Sequence, residues 1–108
     1  MSQTPEKKVK DAVTKILKKF GVYYFYPVMG GYGRSGIPDI VACHLGRFIA
    51  IECKAGSNTV TALQEAELKK IDDAGGHALV INEDNLNTVE MTIATITEVE
   101  HIRERTYD

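Results

Sequence analysis

The 108-residue sequence predicts an α/β domain, in which a mixed sheet is flanked by helices in the order αβββαβ, with a further helix at the C-terminus. Two observations predict this class. Two apolar, β-branched segments flank Leu45-Gly46, which is typical of a tight antiparallel hairpin. Residues 47–81 then follow the pattern strand, helix, strand, and such a crossover joins parallel strands. Because the hairpin is antiparallel and the crossover parallel, the sheet is mixed.

The first helix is predicted from its start and stop signals. Thr4 is a typical N-cap, Pro5 suits the first helical position, and Glu6 lies near the positive end of the helix dipole. Gly21 ends the helix. Its predicted apolar stripe consists of Val9, Val13, Ile16, Leu17 and Phe20. Residues 22–28 are aromatic and β-branched and predict a strand, and residues 29–36 hold four glycines and predict a loop.

The remaining elements follow in order. The hairpin strands are expected at about 38–44 and 47–54. Thr61 and Gln64 match a capping box that opens a second helix, and Gly75-Gly76 ends it. Residues 77–81 form a short apolar strand. A last helix is expected from Asp84, with Leu86, Val89, Ile93 and Ile96 on one side.

Composition limits the possible classes of protein. A hydrophobic fraction of 44% over 108 residues is sufficient for one packed domain, 1–108. No apolar run is long enough to span a membrane, and the N-terminus lacks the apolar core of a secretion signal. Two cysteines do not make a disulfide framework, and a reducing cytoplasm is expected. Cys43, His44 and Cys53 suggest zinc only weakly, because the two cysteines belong to opposite faces of the hairpin.

The net charge of −2 conceals an asymmetry. Residues 1–50 carry a net charge of +5 and residues 51–108 a net charge of −7. A basic half could meet phosphates while the acidic half stays away. The alternative is that the lysines of the first helix are simply its solvated face.

Asp39, Glu52 and Lys54 are the strongest candidates for a functional site. If His44 pairs with Arg47 across the turn, Asp39 lies opposite Glu52, and Lys54 shares the face of Glu52. Facing carboxylates repel unless a cation lies between them, and Mg²⁺ or Mn²⁺ with oxygen ligands is the natural candidate. Such an ion assists phosphodiester hydrolysis, and an ammonium can position the attacking water. The alternative is a salt-bridge cluster at a sheet edge.

The sequence also resembles a known nuclease family. Pro38-Asp39, followed after twelve residues by Glu52-Cys53-Lys54, resembles the PD-(D/E)xK signature. The glycine-rich loop, the G-x-P-D and E-x-K motifs, the T-x-x-Q motif at Thr61–Gln64 and the last strand together resemble the VRR-NUC family. The resemblance implies a restriction-endonuclease-like fold and a metal-dependent DNA endonuclease.

The resemblance also implies roles for single residues. Asp39 and Glu52 would bind the metal by side chain, Cys53 through its backbone carbonyl, and Lys54 would activate water. Gln64 would act near the site by contacting Lys54 or the phosphate, or serve only as a capping partner of Thr61. The metal-bridging acid of the first helix would be Glu6, acting through water, unless it only stabilises the helix. The proposed DNA-binding residues are Lys7, Lys8, Gly33, Arg34 and Ser35.

Branched DNA, including Holliday junctions, is the implied substrate. One small domain has one active centre, so symmetric cutting of two strands predicts a homodimer. The alternatives are a less selective nuclease acting on flaps, nicks or single strands, and a DNA-binding module that does not cleave. No membrane partner or nucleotide cofactor is expected, and a prokaryotic or phage-infected host cell is the expected setting. Tyr23, Tyr24 and Tyr26 could stack on bases, although strand propensity explains them more simply.

Overall fold

The computed structural model describes residues 3–28 and 35–107. The elements within these ranges are α1 (Pro5–Lys19), β1 (Tyr23–Phe25), β2 (Ile40–His44), β3 (Arg47–Cys53), α2 (Ala62–Asp73), β4 (His77–Ile81) and α3 (Asn87–Tyr107). Their order confirms the predicted α/β class with an αβββαβ core and a C-terminal helix. Among the described residues, no helix is both long and apolar enough to cross a membrane.

The sheet is mixed, and its register is the one predicted. The strands lie in the order β1-β2-β3-β4. The β1–β2 and β2–β3 pairs are antiparallel, whereas β3 and β4 are parallel and are joined through α2. His44 pairs with Arg47, as the two-residue turn requires. Leu45 and Gly46 both adopt positive φ, at 50° and 80°, which is the geometry of a type I′ hairpin turn.

The hydrophobic core lies on the face of the sheet that α1 and α3 cover. Ile49, Ile51 and Cys53 of β3 are buried there. The helices contribute Val9, Val13, Leu17, Val89, Ile93 and Ile96 to the same cluster. Two polar contacts add to this packing, because His44 Nε2 lies 2.9 Å from Thr97 Oγ1 and Arg47 contacts Glu100 at 3.5 Å. Together they hold the hairpin end against α3.

Helix α1 begins as predicted, but it ends one residue before Phe20, the last residue of the predicted apolar stripe. The Thr4 hydroxyl accepts a hydrogen bond of 3.1 Å from the N–H of Lys7, which is a standard N-cap. The predicted stripe is wrong at Phe20, whose side chain is 42% exposed. The reason is that Phe20 is the C-cap residue, so its backbone leaves the helical path and the ring no longer follows the buried face.

Three element boundaries differ from the prediction. β1 covers only Tyr23–Phe25 rather than 22–28, and Pro27 lacks the N–H that a longer strand would donate. β2 starts at Ile40 because Pro38 lacks that donor too. α3 starts at Asn87 rather than near residue 84. The preceding turn is held by Asn85, whose side chain accepts from Asn82 N at 2.7 Å and donates to Val80 O at 3.0 Å.

Candidate active site

The hairpin register brings the two predicted acidic residues together where β2 begins and β3 ends. Asp39 directly precedes β2, and Glu52 is the penultimate residue of β3. Because Ile40 pairs with Ile51, the next positions along the ladder are Asp39 and Glu52. The backbone N–H of Cys53 donates a hydrogen bond of 2.8 Å to Oδ2 of Asp39. This bond fixes the Asp39 carboxylate against the end of β3.

Glu52 is a buried carboxyl group with one unsatisfied oxygen. The residue is only 3% exposed. Its Oε1 accepts a hydrogen bond of 3.3 Å from Nε2 of Gln64, whereas its Oε2 is buried without a hydrogen-bond partner in the described part of the chain. The pKa of Glu52 is raised from 4.5 to about 8, first by burial, then by the negative charge of Asp39 and by the hydrogen bond that protonated Glu52 makes with Asp39. A buried, unpaired carboxylate oxygen is costly unless a donor or a cation meets it.

Lys54 completes the predicted group of three. It follows β3 directly, and its backbone N–H donates to the carbonyl of Ile81 at 2.9 Å, which extends the parallel pairing beyond the strand. The side chain is half-buried. The positive charge of Lys54 lowers the pKa of Glu52 and so opposes the effects of burial and of Asp39. The ammonium therefore acts electrostatically on the acidic pair.

Gln64 contacts both its capping partner Thr61 and the acidic pair. It completes the capping box of α2, because its Oε1 accepts from Thr61 N at 2.9 Å and its own N–H donates to the Thr61 hydroxyl at 3.2 Å. Its Nε2 donates to Glu52 in addition. The first turn of α2 is thereby connected to the acidic pair, and the glutamine contact is with Glu52 rather than with Lys54.

The two cysteines do not form a metal or disulfide site. Cys43 is exposed and Cys53 is buried, and both are free. Burial, with smaller effects from Asp39 and Glu52, raises the pKa of the Cys53 thiol to about 12. The thiol therefore stays protonated at neutral pH and is a poor metal ligand. The hairpin places the two residues on opposite faces, as predicted.

The acidic pair has the chemistry of an Mg²⁺ or Mn²⁺ site rather than of a protein-enclosed metal cage. In residues 3–28 and 35–107, no group of three His, Cys, Asp or Glu side chains is arranged to hold a metal ion. Asp39 and Glu52 nevertheless supply two carboxylates, and the unsatisfied Oε2 of Glu52 is the kind of atom that a cation would meet. Magnesium is commonly bound by one or two carboxylates with water and phosphate oxygens completing the shell. The residues present fit such an ion.

A cavity of about 320 Å³ lies beside Asp39 and extends to α1. Glu6 and Lys7 from the first turn line it, as do Asp39 and Cys53. The negative charge of Glu6 slightly raises the pKa of Glu52, which fits this position. Lys8 instead lines a different pocket, which lies between α1 and the segment before α3. The structure thus brings Glu6 and Lys7 to the cavity that Asp39 lines and places Lys8 at a different pocket.

Comparison with known proteins identifies the family. Residues 10–108 match the profile of the family described as archaeal Holliday junction resolvase (hjc). The chain belongs to this family. A solved structure described as a VRR_NUC domain is also similar, with a TM-score of 0.67, 19% identity, and coverage of 85% of this chain and 97% of that chain. At this identity the likeness shows a shared restriction-endonuclease-like fold. No curated protein matches the chain in sequence.

Membership of the resolvase family establishes the chain as a nuclease in general terms. The match to the resolvase profile includes Asp39, Glu52, Lys54 and Gln64 but begins after Glu6, Lys7 and Lys8. Of the predicted loop residues, Ser35 is exposed in a turn, whereas Gly33 and Arg34 lie outside the described residues. Gly36 follows with φ +82°.

Sequence reasoning did not place two of the residues that lie in the cavity beside Asp39. Lys10 and Tyr26 both line the cavity beside Asp39. Helical spacing could have found Lys10, because it lies four residues after Glu6 and three after Lys7, and such residues share a helix face. The sequence suggested Tyr26 only as one of three tyrosines that could stack on bases, because its place at the cavity depends on how the end of β1 packs against α1.

Proposed function

We propose that the chain is a metal-dependent endonuclease that hydrolyses phosphodiester bonds in branched DNA, including Holliday junctions. The observation that carries the proposal is the acidic pair of Asp39 and buried Glu52, in which Glu52 Oε2 has no partner in the described residues. A protein that only bound DNA would gain nothing from burying this carboxyl group next to a second one. A divalent cation bound there supplies positive charge that favours ionisation of water and stabilises charge on phosphate oxygens.

Each site residue receives a defined role in this proposal. Asp39 and Glu52 bind the cation by side chain, and Cys53 contributes its backbone carbonyl. Glu6 contacts the same ion through water, since it lines the adjoining cavity. Gln64 holds the Glu52 carboxylate in place through its 3.3 Å hydrogen bond. The result is a pair of carboxylates whose orientation is set before substrate arrives.

Lys54 is proposed to hold and orient the attacking water. Its ammonium lies close enough to Glu52 to lower the pKa of that carboxyl group. An ammonium in this position donates hydrogen bonds to water and offsets the negative charge that develops on the phosphate. Its backbone is fixed by pairing with β4, so that the side chain starts from a rigid position.

DNA is proposed to approach along the first turns of α1. Lys7 faces the cavity there, and Ser35 lies in an exposed turn shortly before Asp39. Lys8, Gly33 and Arg34 are proposed to contact the flanking backbone. The basic character of residues 1–50 suits such contacts, because lysine and arginine at phosphates provide most non-specific affinity.

A cleavage assay with matched substrates tests the function. The protein is incubated with a four-way junction and with a linear duplex of the same sequence, each with Mg²⁺, Mn²⁺ or EDTA. We expect symmetric cuts in the junction with either metal, little cutting of the duplex and none in EDTA. Equal cutting of both substrates would remove the preference for junctions and favour the less selective nuclease. Binding without any product would favour the non-cleaving module.

The Lys54→Ala substitution tests the role of the ammonium. We expect cleavage of the junction to fall by about 10²–10³-fold, the range seen when one preorganised donor to a transition state is removed. Binding of the junction and the melting temperature should stay close to those of the wild type. Lys69→Ala is the matched control, because Lys69 is exposed on α2 and pairs with Asp73 outside the site. Cleavage by the Lys54 variant at the wild-type rate would refute the assigned role.

A further inference from the structure

Lys10 is the second lysine that α1 presents to the active-site cavity. It is half-buried and lines the cavity of about 320 Å³ together with Asp39, Cys53 and Tyr26. Lys10 therefore shares this cavity with Asp39 of the acidic pair. The positive charge of Lys10 lowers the pKa of the Cys53 thiol, against the larger effect of burial, which is consistent with this position.

The Lys10 ammonium differs from that of Lys7 in its charge partners. Lys7 Nζ lies 3.2 Å from Asp11 Oδ1 and forms an ion pair with it. For Lys10, no carboxylate of residues 3–28 and 35–107 lies within ion-pair distance. A half-buried lysine that is not paired with an acid keeps its charge available for an anion. Of the two, Lys10 is the stronger candidate for a phosphate contact.

A chain of contacts holds the Lys10 ammonium in place. Its Nζ lies 4.4 Å from the centre of the Tyr26 ring, which is a cation–π contact. The Tyr26 hydroxyl lies 2.8 Å from Thr14 Oγ1, and Thr14 donates to the Lys10 carbonyl at 2.9 Å. Thr14 is itself buried. The ring is thus fixed against α1, and the lysine loses less conformational freedom when it meets a ligand.

We propose that Lys10 binds a non-bridging oxygen of a phosphate on the DNA strand that enters the active-site cavity, with Tyr26 and Thr14 as its positioning partners. The inference rests on the proposed nuclease function, because the ligand is the substrate backbone. Lys10 comes from α1 and Asp39 from the residue before β2, and both line the cavity. A phosphate held in this cavity would be contacted by Lys10 and, through the cation, by Asp39. The same site therefore selects and positions a nucleic-acid backbone.

The salt dependence of DNA binding tests the inference without requiring cleavage. Binding of a four-way junction is measured in EDTA over a range of salt concentrations for the wild type, Lys10→Met, Lys10→Arg and Lys15→Met. Each phosphate contact contributes about 0.9 to the slope of log K against log salt. We expect Lys10→Met to weaken binding and to lower the slope by about 0.9. Lys10→Arg should keep the wild-type slope, and so should Lys15→Met, whose side chain is exposed on α1.

Replacing single phosphates of the junction with an uncharged group locates the Lys10 contact. Methylphosphonate is placed at single positions near the cleavage point of the junction. For the wild type we expect one position at which the substitution weakens binding, and for Lys10→Met no further weakening at that position. A Lys10→Met slope equal to the wild-type slope would overturn the inference, even if the melting temperature fell, because the cation–π contact would then be only structural.

The outcome for Lys10 can be separated from the outcome for the nuclease. If the wild type cuts the junction but Lys10→Met keeps the wild-type slope, the inference fails and the proposed function stands. If the wild type binds but never cuts, the function fails, and the slopes still decide the role of Lys10. If the wild type does not bind the junction, both fail together.

Discussion

At the scale of single residues, burial of the Glu52 carboxyl group costs the folded protein free energy. A carboxyl group that is 3% exposed loses most of its hydration, and the neighbouring Asp39 adds repulsion. Without a cation, the folded protein responds by holding a proton on Glu52. The same feature that favours a metal ion therefore predicts how the metal-free protein responds to pH.

Metal-free protein should lose stability as the pH rises from about 4.5 to about 8. The pKa of Glu52 is about 8 in the folded chain against 4.5 in the unfolded chain, so the folded state binds the extra proton between these values. The stabilising contribution is full below pH 4.5 and is lost as the pH passes through the folded pKa. Denaturant unfolding in EDTA at several pH values should show a slope of at most about 1.4 kcal/mol per pH unit.

Two variants and the addition of Mn²⁺ test this prediction. Glu52→Gln keeps the shape but cannot ionise, so this part of the pH dependence should disappear. Glu65→Gln, on the exposed surface of α2, should retain it. Mn²⁺ should raise the stability of the wild type at pH 8, because a ligand that binds only the folded state stabilises it. If Mn²⁺ left the stability of the wild type unchanged even with the junction present, the result would contradict the cation site.

At the scale of elements, the sequence predicts features that follow from periodic patterns and local motifs. It does not predict element boundaries that depend on a single residue or contact. The hairpin register follows from a two-residue turn and strict alternation, so the opposition of Asp39 and Glu52 could be predicted. The start of α2 followed from its capping box. The boundaries of β1 and α3 depend on Pro27 and on side-chain bonds of Asn85, which periodicity does not reveal.

In the candidate site, too, some residues are placed by local geometry and others by tertiary packing. Its three charged residues lie on one continuous hairpin, and local geometry is sufficient to bring them together. The Gln64 contact with Glu52 and the position of Tyr26 depend on the packing of separate elements against the sheet. Such tertiary placements arise between segments distant in sequence, and a single sequence without its fold does not specify them.

Gly36 lies in the turn before Asp39 and packs against the first turn of α2, so its substitution should disturb both segments. It adopts φ +82°, and a Cβ there would lie 2.5 Å from the Leu63 carbonyl oxygen and 2.9 Å from Gln64 N, at the first turn of α2. Gly36→Ala should therefore lower the free energy of unfolding by more than about 1 kcal/mol, since both strain and backbone overlap oppose the methyl group. Cleavage should also fall, because α2 holds Gln64 against Glu52.

Gly56→Ala is the matched control for Gly36→Ala. Gly56 also has positive φ, at 59°, but a Cβ there meets nothing within 4 Å. It should show the backbone strain without the overlap, and so a smaller loss in denaturant unfolding with cleavage retained. Equal losses in the two variants would mean that φ alone matters and that the contact with α2 does not.

At the scale of the whole molecule, one sheet face carries exposed aromatic residues. Tyr23 pairs with Cys43, and Cys43 pairs with Phe48, so these three lie side by side on the face opposite the α1–α3 core. Phe25 adjoins Tyr23 at a ring separation of 6.4 Å. Tyr23 is 69% exposed, Phe25 48% and Phe48 45%. Large aromatic residues grouped on a surface are typical of interfaces between proteins.

Symmetric cutting of a junction requires two active centres, and this aromatic face is our candidate for the dimer interface. Sedimentation analysis should give about twice the chain mass of 11.9 kDa for the wild type. Phe25→Glu should give a folded monomer that nicks single strands of the junction instead of making paired cuts, because a charge buried in the interface costs more than the contact gains. Met91→Glu, at an exposed apolar position on α3, should stay dimeric. If Met91→Glu dissociates and Phe25→Glu does not, the two copies meet through α3 instead.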